Sequence, residues 1–131
     1  MTDLKNFSEG VQHIGIPVSD IDRTIEFYKS LGFEPALITE NKPANERVAF
    51  LRLGNLIIEA YGNKITEKRS GAIDHIALDV KNIDKLYEQI RKDGHRIVEE
   101  RVMSLPFWEN GVKFFTILGP DNEKVEFCEK L

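Results

Sequence analysis

Fourteen residues starting at His13, H-I-G-I-P-V-S-D-I-D-R-T-I-E, return 62 positions later as H-I-A-L-D-V-K-N-I-D-K-L-Y-E from His75. This repetition at one constant offset is the strongest constraint on the fold, because a segment written twice builds its supersecondary unit twice. Two copies are too few for a stacked solenoid. The expectation is two similar half-sheets packed side by side, with equivalent positions of each lining a cleft between them.

The repeat extends through the rest of each copy. Val11 to Val18 reads as a strand, and Ser19 or Asp20 then offers a side-chain oxygen to the free amides of a helix start. Ile21, Ile25, Tyr28 and Leu31 recur at helical spacing, and Gly32 supplies a left-handed C-cap. Ala36 to Thr39 and Val48 to Leu53 read as short strands divided by the turn-rich N-K-P-A-N, and Gly54-Asn55 predicts a tight hairpin into a fourth strand, Leu56 to Tyr61. The polar stretch from Gly62 to Gly71 connects the halves. In the second copy, Ala72 to Val80 reads as a strand, Asn82 as an N-cap, and Ile83, Leu86, Tyr87 and Ile90 as a helical stripe ending at Gly94. Arg96 to Leu105 is expected to be extended. Val112 to Leu118 and Lys124 to Cys128 form the last two strands, joined by the turn sequence G-P-D-N-E. The order β-α-β-β-β therefore occurs twice within one domain, 1–131, with repeats at about 11–62 and 72–131.

Length and charge narrow the function. A chain of 131 residues, 41% hydrophobic and 31% charged, is large enough to bury a core and ordinary for a globular protein. A net charge of −4 gives no basic field for a phosphate backbone, so no nucleic-acid partner is expected. No apolar run approaches the roughly 20 residues a bilayer demands, and the N-terminus lacks a signal-like apolar core. No membrane association and a cytoplasmic location are expected. The one cysteine, Cys128, cannot form an internal disulfide. Cys128 is read as a packing residue.

Chemistry is concentrated in four residues. Each half carries a histidine on its first strand, His13 or His75, and a glutamate within its fourth, Glu59 or Glu126. Glu59 shares a strand face with Ile57 and Tyr61, and Glu126 sits between Val125 and Phe127. A single strand histidine is ordinarily a hydrogen-bonding core residue, and a single strand glutamate ordinarily faces solvent. Four at matched positions of a repeat call for another reason, since carboxylates gathered on a concave face cost several kcal/mol unless paired or metal-bound. Nitrogen and oxygen donors without thiolate suit one divalent ion, Zn, Ni, Co, Fe or Mn, with positions open to water or substrate. His95, after Gly94 at a helix end, is read as a surface residue. Arg47, Arg52, Arg69 and Arg101 are read as surface charges. The chain has no Walker loop, no dinucleotide fingerprint and no nucleophile with an adjoining base.

The segments H-I-G-I-P-V, D-R-T-I-E-F-Y-K-S-L-G-F, L-G-N-L-I-I-E, D-H-I-A-L-D-V and L-G-P-D-N-E-K-V-E-F together resemble the vicinal oxygen chelate superfamily, from about Val11 to Leu131. That group includes glyoxalase I, methylmalonyl-CoA epimerase, extradiol dioxygenases and the fosfomycin and bleomycin resistance proteins. The resemblance implies an α+β fold of paired βαβββ modules in a curved, mixed half-barrel sheet. It also implies His13, Glu59, His75 and Glu126 as metal ligands in the cleft. Retention of all four resembles the glyoxalase I branch, lactoylglutathione lyase, in which proton abstraction next to a carbonyl gives an enediolate and Glu126 would be the mobile base. The alternatives are an epimerase of the methylmalonyl-CoA type and a non-catalytic small-molecule-binding or antibiotic resistance protein. A homodimer is also implied.

Substrate contacts are less uniform. Bacterial glyoxalase I enzymes carry an arginine four residues after the first histidine, where this chain has Pro17, whereas Asn63 resembles their glutathione-contacting position. The loop S-L-P-F-W-E-N-G puts Phe107 and Trp108 in a turn-rich segment, as a lid, a dimer contact, or packing against the sheet. A hemithioacetal or thioester-like small molecule is the implied substrate.

Overall fold

A computed structural model describes residues 3–62 and 65–131, and the chain divides into two compact units, Met1–Thr66 and Glu67–Leu131. In the first, a short 3-10 turn, Leu4–Asn6, precedes strand β1 (Ile14–Val18), helix α1 (Ile21–Ser30) and strands β2 (Glu34–Asn41), β3 (Glu46–Leu53) and β4 (Leu56–Gly62). The sheet order is β1-β4-β3-β2, with β1 parallel to β4 and the other pairs antiparallel.

Local sequence explains α1. Asp20 has extended backbone angles, and its carboxylate accepts from the Arg23 amide at 3.1 Å, satisfying one of the free donors of the first turn. Ile21, Ile25 and Tyr28, spaced four and three apart, bury one face against Leu51, Ile58 and Ala60 of the core. Gly32 takes a φ of 98°, which only glycine adopts without strain, and the chain reverses into β2. The hairpin at Gly54-Asn55 joins β3 and β4 as the sequence predicts. Boundaries differ in places: β2 and β3 start earlier than expected, and β1 begins at Ile14, so His13 immediately precedes the strand instead of lying within it.

The second unit comprises β5 (His75–Asp79), α2 (Ile83–Lys92), β6 (Arg96–Ile97), β7 (Met103–Leu105), β8 (Val112–Leu118) and β9 (Lys124–Lys130). Its order is β5-β9-β8-β6, with β7 also paired to β8, and β5 runs parallel to β9. Helices α1 and α2 have the same length and lie 62 residues apart at both ends. Val112, Phe115, Ile117, Val125 and Phe127 form the core, beneath Ile83 and Ile90 of α2.

Two expectations are corrected here. The stretch from Arg96 to Leu105 is not one extended strand but two short ones, β6 and β7, separated by a bend. At the break, the Glu99 carboxylate accepts from the Thr116 amide at 2.6 Å, taking a donor that strand pairing would otherwise give to a backbone carbonyl. Asn82 does not cap α2 with its side chain: it sits in the left-handed region at φ 55°. The carboxylate of Glu129, on β9, accepts from the amides of Asn82 and Ile83 at 3.1 and 3.0 Å and caps the helix from across the unit.

Candidate metal centre

Ladder register fixes where the four sequence-predicted residues go. In the first unit Gly15 pairs with Glu59 across β1 and β4; in the second, Ala77 pairs with Glu126 across β5 and β9. Each histidine lies two residues before that partner, hence on the same side, because side chains alternate along extended chain. His13 Nε2 lies 3.8 Å from Glu59 Oε1, and His75 Nε2 lies 3.7 Å from Glu126 Oε2. The same imidazole-carboxylate pair is thus built twice from the same register.

Small residues occupy the position between. A Cβ added at Gly15 would lie 3.5 Å from Glu59 Oε1 and 3.6 Å from the Tyr61 ring, ordinary contact distances, so alanine fits there as Ala77 does in the other unit. Neighbouring residues differ between the halves. Phe50 is paired with Glu59 on β3 and meets the His13 ring edge-on at 5.8 Å. Buried Thr116 occupies the corresponding place beside Glu126.

The other ring nitrogen of each histidine is also engaged. His13 Nδ1 lies 3.0 Å from Gln12 Oε1, and His75 Nδ1 lies 2.9 Å from Asp74 Oδ2. These oxygens accept, so each contact favours the tautomer of neutral imidazole that carries its proton on Nδ1. Nε2 then presents a lone pair toward a glutamate oxygen, a pairing of two acceptors too long for a hydrogen bond. Two metal-ligand bonds of about 2.1 Å at an angle of 110–120° separate their donor atoms by about 3.4–3.6 Å. The observed 3.7 and 3.8 Å are close to that, and the donor chemistry fits a divalent ion.

Electrostatics distinguish the two carboxylates' surroundings. Burial raises the Glu126 pKa above the ordinary carboxylate range; His75 opposes the rise, while Glu99 and Asp74 add to it. Its side chain is 18% exposed, against 28% for Glu59. Asp74 is held below the ordinary range by hydrogen bonds from His75 and Lys124, the latter at 3.2 Å. Among the described residues, no group of three or more His, Cys, Asp or Glu side chains gathers as an ion site. Within each unit the histidine and the glutamate form a pair.

Other expected contacts are distributed as follows. Asn63 lies outside the described residues. Phe107 and Trp108 fall between β7 and β8 and are both exposed, Trp108 at 70%, with Lys130 Nζ 3.9 Å above its ring and a backbone φ of 61°. Trp108 is consequently not packed into the sheet. The half-buried Cys128 thiol has its pKa raised, chiefly by burial. Gln12, Asp74, Lys124 and Glu99 join the surroundings of the pairs without being among the sequence-predicted residues. Gln12 and Asp74 stand at the repeat offset, immediately before each histidine, and that position was the available signal.

The Glyoxalase/Bleomycin resistance protein/Dioxygenase superfamily, by its family-wide sequence profile, matches residues 10–127. The chain is 31% identical over 128 residues to the uncharacterised protein YwbC of Bacillus subtilis, covering 92% of this chain and 97% of that one. It is 28% identical over 124 residues to a probable lactoylglutathione lyase of Synechocystis, covering 89% and 92%. Among solved structures, the fosfomycin resistance protein FosX of Listeria monocytogenes, complexed with Mn(II) and sulfate, shares the fold with a TM-score of 0.73 at 19% identity, covering 95% of each chain.

Proposed function

The chain belongs to the Glyoxalase/Bleomycin resistance protein/Dioxygenase superfamily, and from that premise we propose that it is a divalent-metal-dependent lyase or isomerase of the glyoxalase I type. His13, Glu59, His75 and Glu126 are the proposed ligands of one ion. The observation that carries this reading is the duplicated pair, Nε2 facing a glutamate oxygen at 3.8 and 3.7 Å with Nδ1 donating away from it. The likeness to a probable lactoylglutathione lyase supports the choice of reaction.

A bound divalent ion supplies Lewis-acid polarisation of substrate oxygens beside the reacting carbon, in a site of nitrogen and oxygen donors. The protein's own groups do the rest. Gln12 and Asp74 hold the imidazole rings so that Nε2 stays unprotonated. Glu126, whose burial favours its protonated form, is suited to accept a proton from the carbon next to the carbonyl and to return it to the neighbouring carbon. The product is an isomer in which one hydrogen has moved and no atom has been gained. Phe107, Trp108 and Asn63 are proposed substrate contacts, and a small hemithioacetal or thioester is the proposed substrate. A homodimer in the cytoplasm is the proposed assembly and location. No helix of the described residues is long and apolar enough to cross a membrane.

A second reading, a 2-acyl-CoA epimerase, is favoured by Pro17 in β1, where a glutathione-binding arginine would be expected. The two separate experimentally. Metal-loaded protein is offered a hemithioacetal and an acyl-CoA thioester in deuterated solvent. The glyoxalase reading expects turnover of the hemithioacetal and a loss of about 10²–10⁴-fold in kcat on Glu126→Gln. Deuterium entering only the thioester α-carbon favours the epimerase, and full turnover by Glu126→Gln contradicts both.

A further inference from the structure

The residue before each histidine breaks the repeat's symmetry in charge while preserving its geometry. At one offset stand Gln12, a neutral amide, and Asp74, a carboxylate, each accepting from Nδ1 of the next residue's ring at 3.0 and 2.9 Å. Asp74 is further tied through its second oxygen to Lys124 Nζ at 3.2 Å, whose Cα partner across the β5/β9 ladder is His75 itself. The result is a three-membered chain, Lys124 to Asp74 to His75, in which the ammonium fixes the carboxylate and the carboxylate fixes the ring. Among the described residues, the only hydrogen bond or ion pair found for the Gln12 side chain is its contact with His13.

We propose that Asp74 is the positioning residue of the second pair, holding His75 in the Nδ1–H form with a full negative charge behind it, so that His75 is the stronger donor and His13, backed only by Gln12, the weaker. The inference rests on the metal-site reading above. A carboxylate accepting from the remote N–H of an imidazole pushes electron density toward the opposite nitrogen, and such outer partners alter metal affinity by about 10–100-fold when replaced. An amide accepts the same bond without the charge. The two pairs are therefore alike in shape and unequal in the charge behind the ring.

Ring nitrogen NMR on metal-free protein at about pH 8, where imidazole is neutral, reads the first part directly. Wild type is expected to show His75 protonated on Nδ1. Asp74→Asn, which keeps an acceptor oxygen, should retain that form, whereas Asp74→Leu should release the ring to the Nε2–H form. A wild-type His75 protonated on Nε2, or an unchanged tautomer in Asp74→Leu, overturns the assignment. Co(II) titration reads the second part. Asp74→Asn should weaken binding about 10–100-fold, and Gln12→Glu, which adds the missing charge, should tighten it. Equal affinities in wild type and Asp74→Asn, with the fold intact by circular dichroism, refute the charge effect. Wild-type protein that takes up no Co(II) defeats the metal reading and, with it, the ranking of donors, while the tautomer still decides whether Asp74 holds the ring.

Discussion

Glu126, the proposed proton acceptor, carries a cost to the fold when ionised. Its carboxyl has a raised pKa, chiefly from burial, so the folded protein binds that proton more tightly than the unfolded chain does. Stability therefore falls as pH climbs from the ordinary carboxylate range through the higher folded value, and the loss is complete above it. Metal-free Glu126→Gln should accordingly melt above wild type at about pH 8 and level with it at about pH 4, which thermal melts in chelator would measure. Gly15→Ala should be neutral or stabilising by up to about 1 kcal/mol in denaturant titration, because the added methyl meets only ordinary contacts and the unfolded chain loses freedom. The four proposed ligands stand out in the sequence because both copies use the same residue types at the same positions. Gln12 and Asp74 do not, because one role is filled by an amide and a carboxylate, and residue identity does not reveal which atom an acceptor faces.

Helices and hairpins were legible where the information is local. Asp20, the 21-25-28 stripe and Gly32 lie within one stretch of chain, and they mark both ends of α1 to within a residue. The start of α2 depends instead on Glu129, 46 residues beyond Ile83, and a side chain that arrives from another strand leaves no mark beside the helix it caps. Glu129→Ala should cost about 1–2 kcal/mol in chemical denaturation, comparable to losing a local cap, and Glu129→Gln, with one acceptor oxygen in place of two, should lose only part of that. The division of β6 from β7 was hidden for the same reason. Glu99 reads as an ordinary charge in an extended stretch until its carboxylate is seen taking the Thr116 amide on β8.

At the scale of the molecule, the 62-residue repeat corresponds to two units with matching parallel pairings, β1 with β4 and β5 with β9, which is why the module order is legible in the sequence. Substrate contacts could not be read in the same way, since Phe107 and Trp108 sit in a loop whose sequence has no counterpart in the first copy. The central proposal is that His13, Glu59, His75 and Glu126 are ligands of a divalent ion. Elemental analysis of protein dialysed after growth in metal-supplemented medium, on wild type beside His13→Ala and His75→Ala, tests it most directly. One divalent ion per chain is expected in wild type, with a large loss of occupancy in both variants. Wild-type protein without bound metal, or full occupancy after either substitution, would contradict it.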